Sequence, residues 1–218
     1  MLLQRFTDNR LRGLLVVVAC GVVLGACASG PKPAKPADQA ARGGAQPGVA
    51  REVPAKAQTL YEQAVSAMAS GDMLDAQLRF QEFLLQYPDF PGAYVNLAII
   101  YADSGDDKAV EDNLTDALII DPQHPAALNQ LGMLLRRQGK FAEAESAYMK
   151  AITADPDYAL AHYNLGVLNE LYLQRLDLAL QHFEIYVELG GDDDQVTKWI
   201  ADLKRRIGST QRTANVTE

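Results

Sequence analysis

Few side chains in this sequence have the types and spacing that chemistry needs. His124 lies in Gln123-His124-Pro125, and His162 and His182 stand on separate helical stretches. None has a Cys, Ser or carboxylate at a recognisable catalytic or metal-ligand spacing, and no glycine loop could cradle a phosphate. The three histidines are therefore expected to be structural. With two cysteines, Cys20 and Cys27, they build neither a metal centre nor a disulfide scaffold. Asp192-Asp193-Asp194 lacks the alternating ligand spacing of a calcium loop. Arg136-Arg137 could meet a carboxylate or a phosphate. They could equally be two solvated arginines closing a helix, where the dipole favours cations. The expectation is no enzyme, no cofactor, no metal and no small-molecule substrate.

Composition narrows the partners. The 218 residues are 48% hydrophobic and 22% charged, an ordinary globular balance. Twenty basic against 28 acidic groups give a net charge of -8. An acidic surface argues against nucleic acid, since neutralising phosphates needs a basic face.

The first residues read as an address. Arg5, Arg10 and Arg12 precede the apolar run 14–24, too short for a spanning helix. A basic start, a short apolar centre and small residues make a secretory signal peptide, residues 1–26. Leu24-Gly25-Ala26-Cys27 resembles a bacterial lipobox. That resemblance implies cleavage before Cys27, acyl chains on Cys27 and, with Ala28 rather than Asp next, an outer-membrane address facing the periplasm. Two or more acyl chains anchor stably. Residues 27–54 are rich in Ala, Pro and Gly without apolar periodicity, so a disordered tether is expected there.

The elements that position everything else recur. Pro88, Pro122 and Pro156 are 34 apart. Gly71-Asp72, Gly105-Asp106 and Gly139-Lys140 lie 17 residues before each; Phe80, Leu114 and Tyr148 lie 8 before. Leu97-Ala98, Leu131-Gly132 and Leu165-Gly166 keep the same interval. Period and positions resemble the tetratricopeptide repeat. The resemblance implies an all-α, right-handed solenoid of four helix pairs over residues 55–190, since one pair cannot bury its apolar face alone. In the fourth unit Ala179, Phe183 and Tyr186 arrive one residue late, which predicts an insertion near 171–175 with Arg175–Asp177 in the turn. Val196, Trp199, Ile200, Leu203 and Ile207 form one stripe, predicting a capping helix over 191–208 that Gly208 stops. Residues 209–218 are expected to be a disordered tail.

The family resemblance also assigns an inner surface, built from the first helix of each unit. Its positions fall on Tyr61, Val65 and Met68, then Val95, Asn96 and Ile99, then Asn129, Gln130, Met133, Arg136 and Arg137, then Tyr163, Asn164 and Val167. Asn96, Gln130 and Asn164 make a register of amides that could hold an extended peptide or tie neighbouring helices together. The family's clamp for a chain-terminal carboxylate needs Lys where this chain has Tyr61, Val95, Asn129 and Tyr163, so that ligand is not expected. The resulting expectation is a lipid-anchored periplasmic adapter or assembly factor. It would hold an extended or helical segment of a protein partner, for a pilus, secretion or energy-transduction machine. The alternatives are a self-associating envelope scaffold, with homo-oligomers, and, more remotely, an envelope hydrolase.

Overall fold

The computed structural model describes residues 54–216, with side chains described as far as residue 209. The expected signal peptide, Cys27 and the tether up to residue 53 lie outside the described residues. Nine helices and no strand occur among the described residues. They pair as α1 (Ala55–Ala69) with α2 (Met73–Gln86), α3 (Pro91–Ser104) with α4 (Asp107–Ile120), α5 (Pro125–Arg137) with α6 (Phe141–Ala154), and α7 (Ala159–Leu168) with α8 (Leu176–Glu188). A last helix, α9 (Asp194–Val216), follows.

The turn inside each of the first three pairs is the same two-residue device. Gly71, Gly105 and Gly139 take φ of +85°, +80° and +77°, where only glycine avoids a Cβ clash. The next amide then bonds a carbonyl five residues back: Asp72 to Ala67, Asp106 to Tyr101, Lys140 to Leu135. Asp72 and Asp106 also cap the following helix, accepting from Asp75 N and Ala109 N at 3.0 Å. One dipeptide thus ends a helix and starts the next.

The fourth pair accommodates its extra residue as a π-helical turn, Asn169–Leu173. The closing bond there spans six residues, Arg175 N to Asn169 O at 2.9 Å, instead of five. Gln174 stands where glycine is missing and takes φ +53°. The insertion lies where the sequence placed it. The turn, however, is Gln174-Arg175, and Leu176 already opens α8 rather than sitting within the turn.

Within each pair a small residue on the first helix seats a large one from the second. A Cβ on Gly132 would come within 2.4 Å of the Tyr148 ring, and one on Gly166 within 2.7 Å of Phe183. The second pair sets Ala98 at the same position and Leu114 opposite, both buried.

Helix α9 buries Val196 and Leu203 fully and lays Trp199 and Ile200 against Ala179, Phe183 and Val167. Asp193 caps it, its carboxylate accepting from Gln195 N at 2.8 Å, which is the structural work of the acidic run. The expected stop at Gly208 is corrected. The helix runs through Gly208 to Val216, so the expected disordered tail is helical over most of its length. A glycine inside a helix costs only about 1 kcal/mol, and no proline follows to break the ladder.

Candidate protein-binding groove

First helices of neighbouring repeats pack side by side, α3 on α5 and α5 on α7, whereas the second helices come less close. The stack therefore curves with its first helices on the inner side. The side chains assigned to that face divide into two kinds.

Val95, Asn96, Asn129, Asn164 and Val167 are buried and are corrected from partner contacts to joints between helices. Asn96 Nδ2 donates to Tyr61 Oη at 2.8 Å, and Asn164 Nδ2 donates to Asn129 Oδ1 at 3.0 Å. Each bond crosses from one repeat to the preceding one with a step of 35 residues. The partner of Asn164 is thus Asn129, and Gln130 is left half-buried outside the rung. Of the two roles open to the amides, the buried ones tie helices together. Burial raises the Tyr61 hydroxyl to about 12, with the Asn96 bond pulling the other way, so Tyr61 stays neutral.

Tyr61, Val65, Met68, Ile99, Gln130, Met133, Arg136 and Tyr163 remain half-buried on the inner face. The apolar members lie mostly in the first two repeats, the polar ones in the last two. Arg137 is exposed, but its Nη2 is engaged by Asp107 Oδ1 of α4 at 2.5 Å. Arg136 lies one turn beyond Met133, and the two arginines do not act as one patch. Beside Tyr163 stand Tyr186 and Trp199, with ring centroids 5.3 and 6.2 Å away.

The histidines separate likewise. His124 is buried as the N-cap of α5, its Nδ1 accepting from Ala127 N at 3.2 Å, and burial lowers its pKa. His162 and His182 meet, Nδ1 to Nδ1 at 3.1 Å, a pairing not foreseen from the sequence. The signal was available: the corresponding residues of the third repeat are Leu128 and Ala147, both buried. One ring must be protonated at Nδ1 and the other bare, so both cannot be cations. Burial lowers the pKa of each, and His162 helps push His182 down to about 4. The unfolded chain therefore binds protons that the native one refuses. The stabilisation is whole above the unfolded value of 6.5 and is lost as pH falls toward and through 4. Allowing for partial exposure, the loss is about 1–2 kcal/mol. The double change His162→Leu with His182→Ala copies the third repeat. It should flatten the fall in melting temperature between about pH 6.5 and 4. A slope equal to that of the unaltered chain would refute the assignment. Among the described residues no group of three or more His, Cys, Asp or Glu could hold a metal ion.

A family profile described as tetratricopeptide repeat matches residues 61–125 and 129–194, well over half of the chain. No curated protein matches the chain by sequence. In fold the chain is similar to pilF of Pseudomonas aeruginosa, with TM-score 0.63 and 20% identity over 80% of this chain and 72% of that one. It is similar to TTC0263, a thermophilic protein of Thermus thermophilus, with TM-score 0.59 and 21% identity over 70% and 84% of the two chains. It is also similar to the first such domain of RPAP3 (Spaghetti), solved with the HSP90 peptide SRMEEVD, with TM-score 0.50 and 22% identity over 54% and 95%.

Proposed function

This chain belongs to the tetratricopeptide-repeat family, and from that membership we propose that it is a lipid-anchored adapter that holds a segment of a protein partner against its inner face, without catalysis. The observation that carries the reading is the row Val65, Met68, Ile99 and Met133. These apolar side chains stay half-exposed on first helices whose Val95, Asn96, Asn129, Asn164 and Val167 are used up in packing. They follow one another on the inner face over three successive repeats, as apolar contacts for a partner segment would. The RPAP3 domain holding a peptide supports the same use of the fold.

The anchor rests on Leu24-Gly25-Ala26-Cys27 and on the Ala/Pro/Gly stretch behind it. Acylated at Cys27, the chain would sit on the outer membrane facing the periplasm. The tether would let the repeats range about 30 Å from the bilayer as a coil. Envelope assembly, for a pilus, a secretion system or an energy-transducing motor, is the setting such a leash suits.

Two arms test the two halves. Cys27→Ser should release the protein from membranes in a flotation gradient, and continued flotation would sink the anchor. Ile99→Glu with Met133→Glu should strip the co-purified partner at least about tenfold, because burying a carboxylate against apolar partner surface is costly. Ile119→Glu, on the outside of α4, should not. Equal loss from both changes would remove the groove from the account.

A further inference from the structure

We infer that the groove ends in a cation-binding subsite, where the rings of Tyr163, Tyr186 and Trp199 and the carboxylates of Asp192 and Asp193 receive a Lys or Arg side chain of the partner segment. The inference rests on the adapter reading above and names the chemistry of one residue that the groove takes.

Three helices build the aromatic surface. Tyr163 stands on the inner face of α7, Tyr186 near the end of α8 and Trp199 on α9. The ring centroids of Tyr186 and Trp199 lie 5.3 and 6.2 Å from that of Tyr163, with planes inclined by 55° and 31°. The step of 36 residues that sets Arg206 beside Glu170 also sets Trp199 beside Tyr163. Helix α9 thereby continues the row of first helices, and its tryptophan extends the groove by one position. Phe183 packs beneath Tyr163 and Trp199 and is fully buried. The other three rings are half-buried, so part of each meets solvent. Aromatic rings left partly open at the end of a groove mark a contact surface.

Charge selects what meets that surface. The Gly191 amide donates to the Tyr186 carbonyl at 2.9 Å, and a Cβ on Gly191 would come within 2.4 Å of the Tyr186 ring. Asp192 and Asp193 are the next two residues, so the chain delivers both to the edge of that ring. Asp193 is fixed there, its carboxylate accepting from Gln195 N at 2.8 Å, and Trp199 stands one helical turn beyond Gln195. After burial, the Asp193 charge is the leading cause that raises the hydroxyl pKa of both Tyr163 and Tyr186. Among the described residues neither Asp192 nor Asp193 joins an ion pair, whereas Lys204, Arg205 and Arg206 of α9 are engaged by Glu184, Asp202 and Glu170. Rings and acids favour the same ligand. A ring face attracts a cation within about 6 Å of its centroid, and unpaired carboxylates add Coulomb attraction. An anion would be repelled, and an apolar side chain would gain nothing from the acids.

The test selects random segments of about twelve residues, free of tryptophan and displayed on phage, against the full-length chain. The expected result is Lys or Arg at one fixed position. One enriched segment is then synthesised in two forms, with Lys or with norleucine, which lacks the ammonium, at that position. The norleucine form should bind about three- to thirtyfold more weakly. The double change Asp192→Asn with Asp193→Asn keeps the helix cap, since Asn serves there as well as Asp. It should weaken the lysine form about two- to tenfold at low salt and leave the norleucine form unchanged. The lysine form should also alter the emission of Trp199, the chain's single tryptophan. Enrichment without a fixed cation, equal binding of the two forms, the same response of both forms to the Asn changes, or an unaltered Trp199 spectrum at saturation overturns the subsite while leaving the groove standing. No enriched segment at all overturns groove and subsite together.

Discussion

Changing Leu203 to Asp is expected to undock α9 and shift the fluorescence of Trp199 to the red. Leu203 is fully buried between α9 and the fourth repeat, in the cluster of Val167, Ala179, Phe183 and Val196. A carboxylate there has no partner to compensate its desolvation and should cost on the order of 3 kcal/mol or more, enough to free a terminal element. Trp199 is the chain's single tryptophan, and it packs on Phe183 with centroids 5.5 Å apart. Its emission therefore reports docking of this helix. The ion pairs Lys204–Glu184 and Arg206–Glu170 are half-exposed and will not hold it alone. Because repeats couple only to neighbours, most helical circular dichroism from the first three pairs should survive. An unshifted Trp199 spectrum would mean that α9 is not the cap of the stack.

The second large effect is at Gly132. An alanine methyl would meet three Tyr148 ring carbons at 2.4, 2.6 and 2.9 Å. The ring is enclosed and cannot step aside, so overpacking should cost about 1–3 kcal/mol. Tyr148→Leu alone leaves a void and should cost about 2–4 kcal/mol. Together the two changes copy Ala98 over Leu114 in the second repeat and should recover most of the loss, a strong coupling in a double-mutant cycle. Urea denaturation of the four chains measures it. Additive losses would contradict the claim that the pair is one packing unit.

These two sites also show what is legible before the structure. Gly132 and Tyr148 stand out because small and large residues recur at fixed offsets from Pro122 and Pro156. The helix pairs follow from the same interval, since each Gly-Asp and each proline is a stop or start with its own mechanism. The one-residue slip in the fourth repeat is visible too, but its form is not. Gln174 at φ +53° carries no sequence signal, because glutamine rarely adopts that region. The end of α9 departs from the expected stop at Gly208 for the opposite reason: a glycine can stop a helix but need not.

The groove is less legible. The family resemblance puts Asn96, Asn129 and Asn164 on the inner face, where an amide could hold a peptide or tie helices together. Only three dimensions reveal that the 35-residue step sets Asn164 on Asn129 and Asn96 on Tyr61 and removes them from reach. The meeting of His162 with His182 is marked in the sequence only by comparison with Leu128 and Ala147 of the third repeat, because no spacing rule for catalysis or metals covers two helices of one repeat. Arg136 and Arg137 look equivalent in sequence. Asp107, 30 residues away, separates them by claiming one.

The central claim is that the inner face of the stack meets the partner. The most direct measurement places a photo-crosslinking residue in living cells at Met133, on α5, and in parallel at Met149, exposed on the outside of α6. The account predicts one crosslinked protein from Met133, identified by mass spectrometry and absent from Met149. The same protein captured equally from both positions, or from Met149 alone, would contradict it.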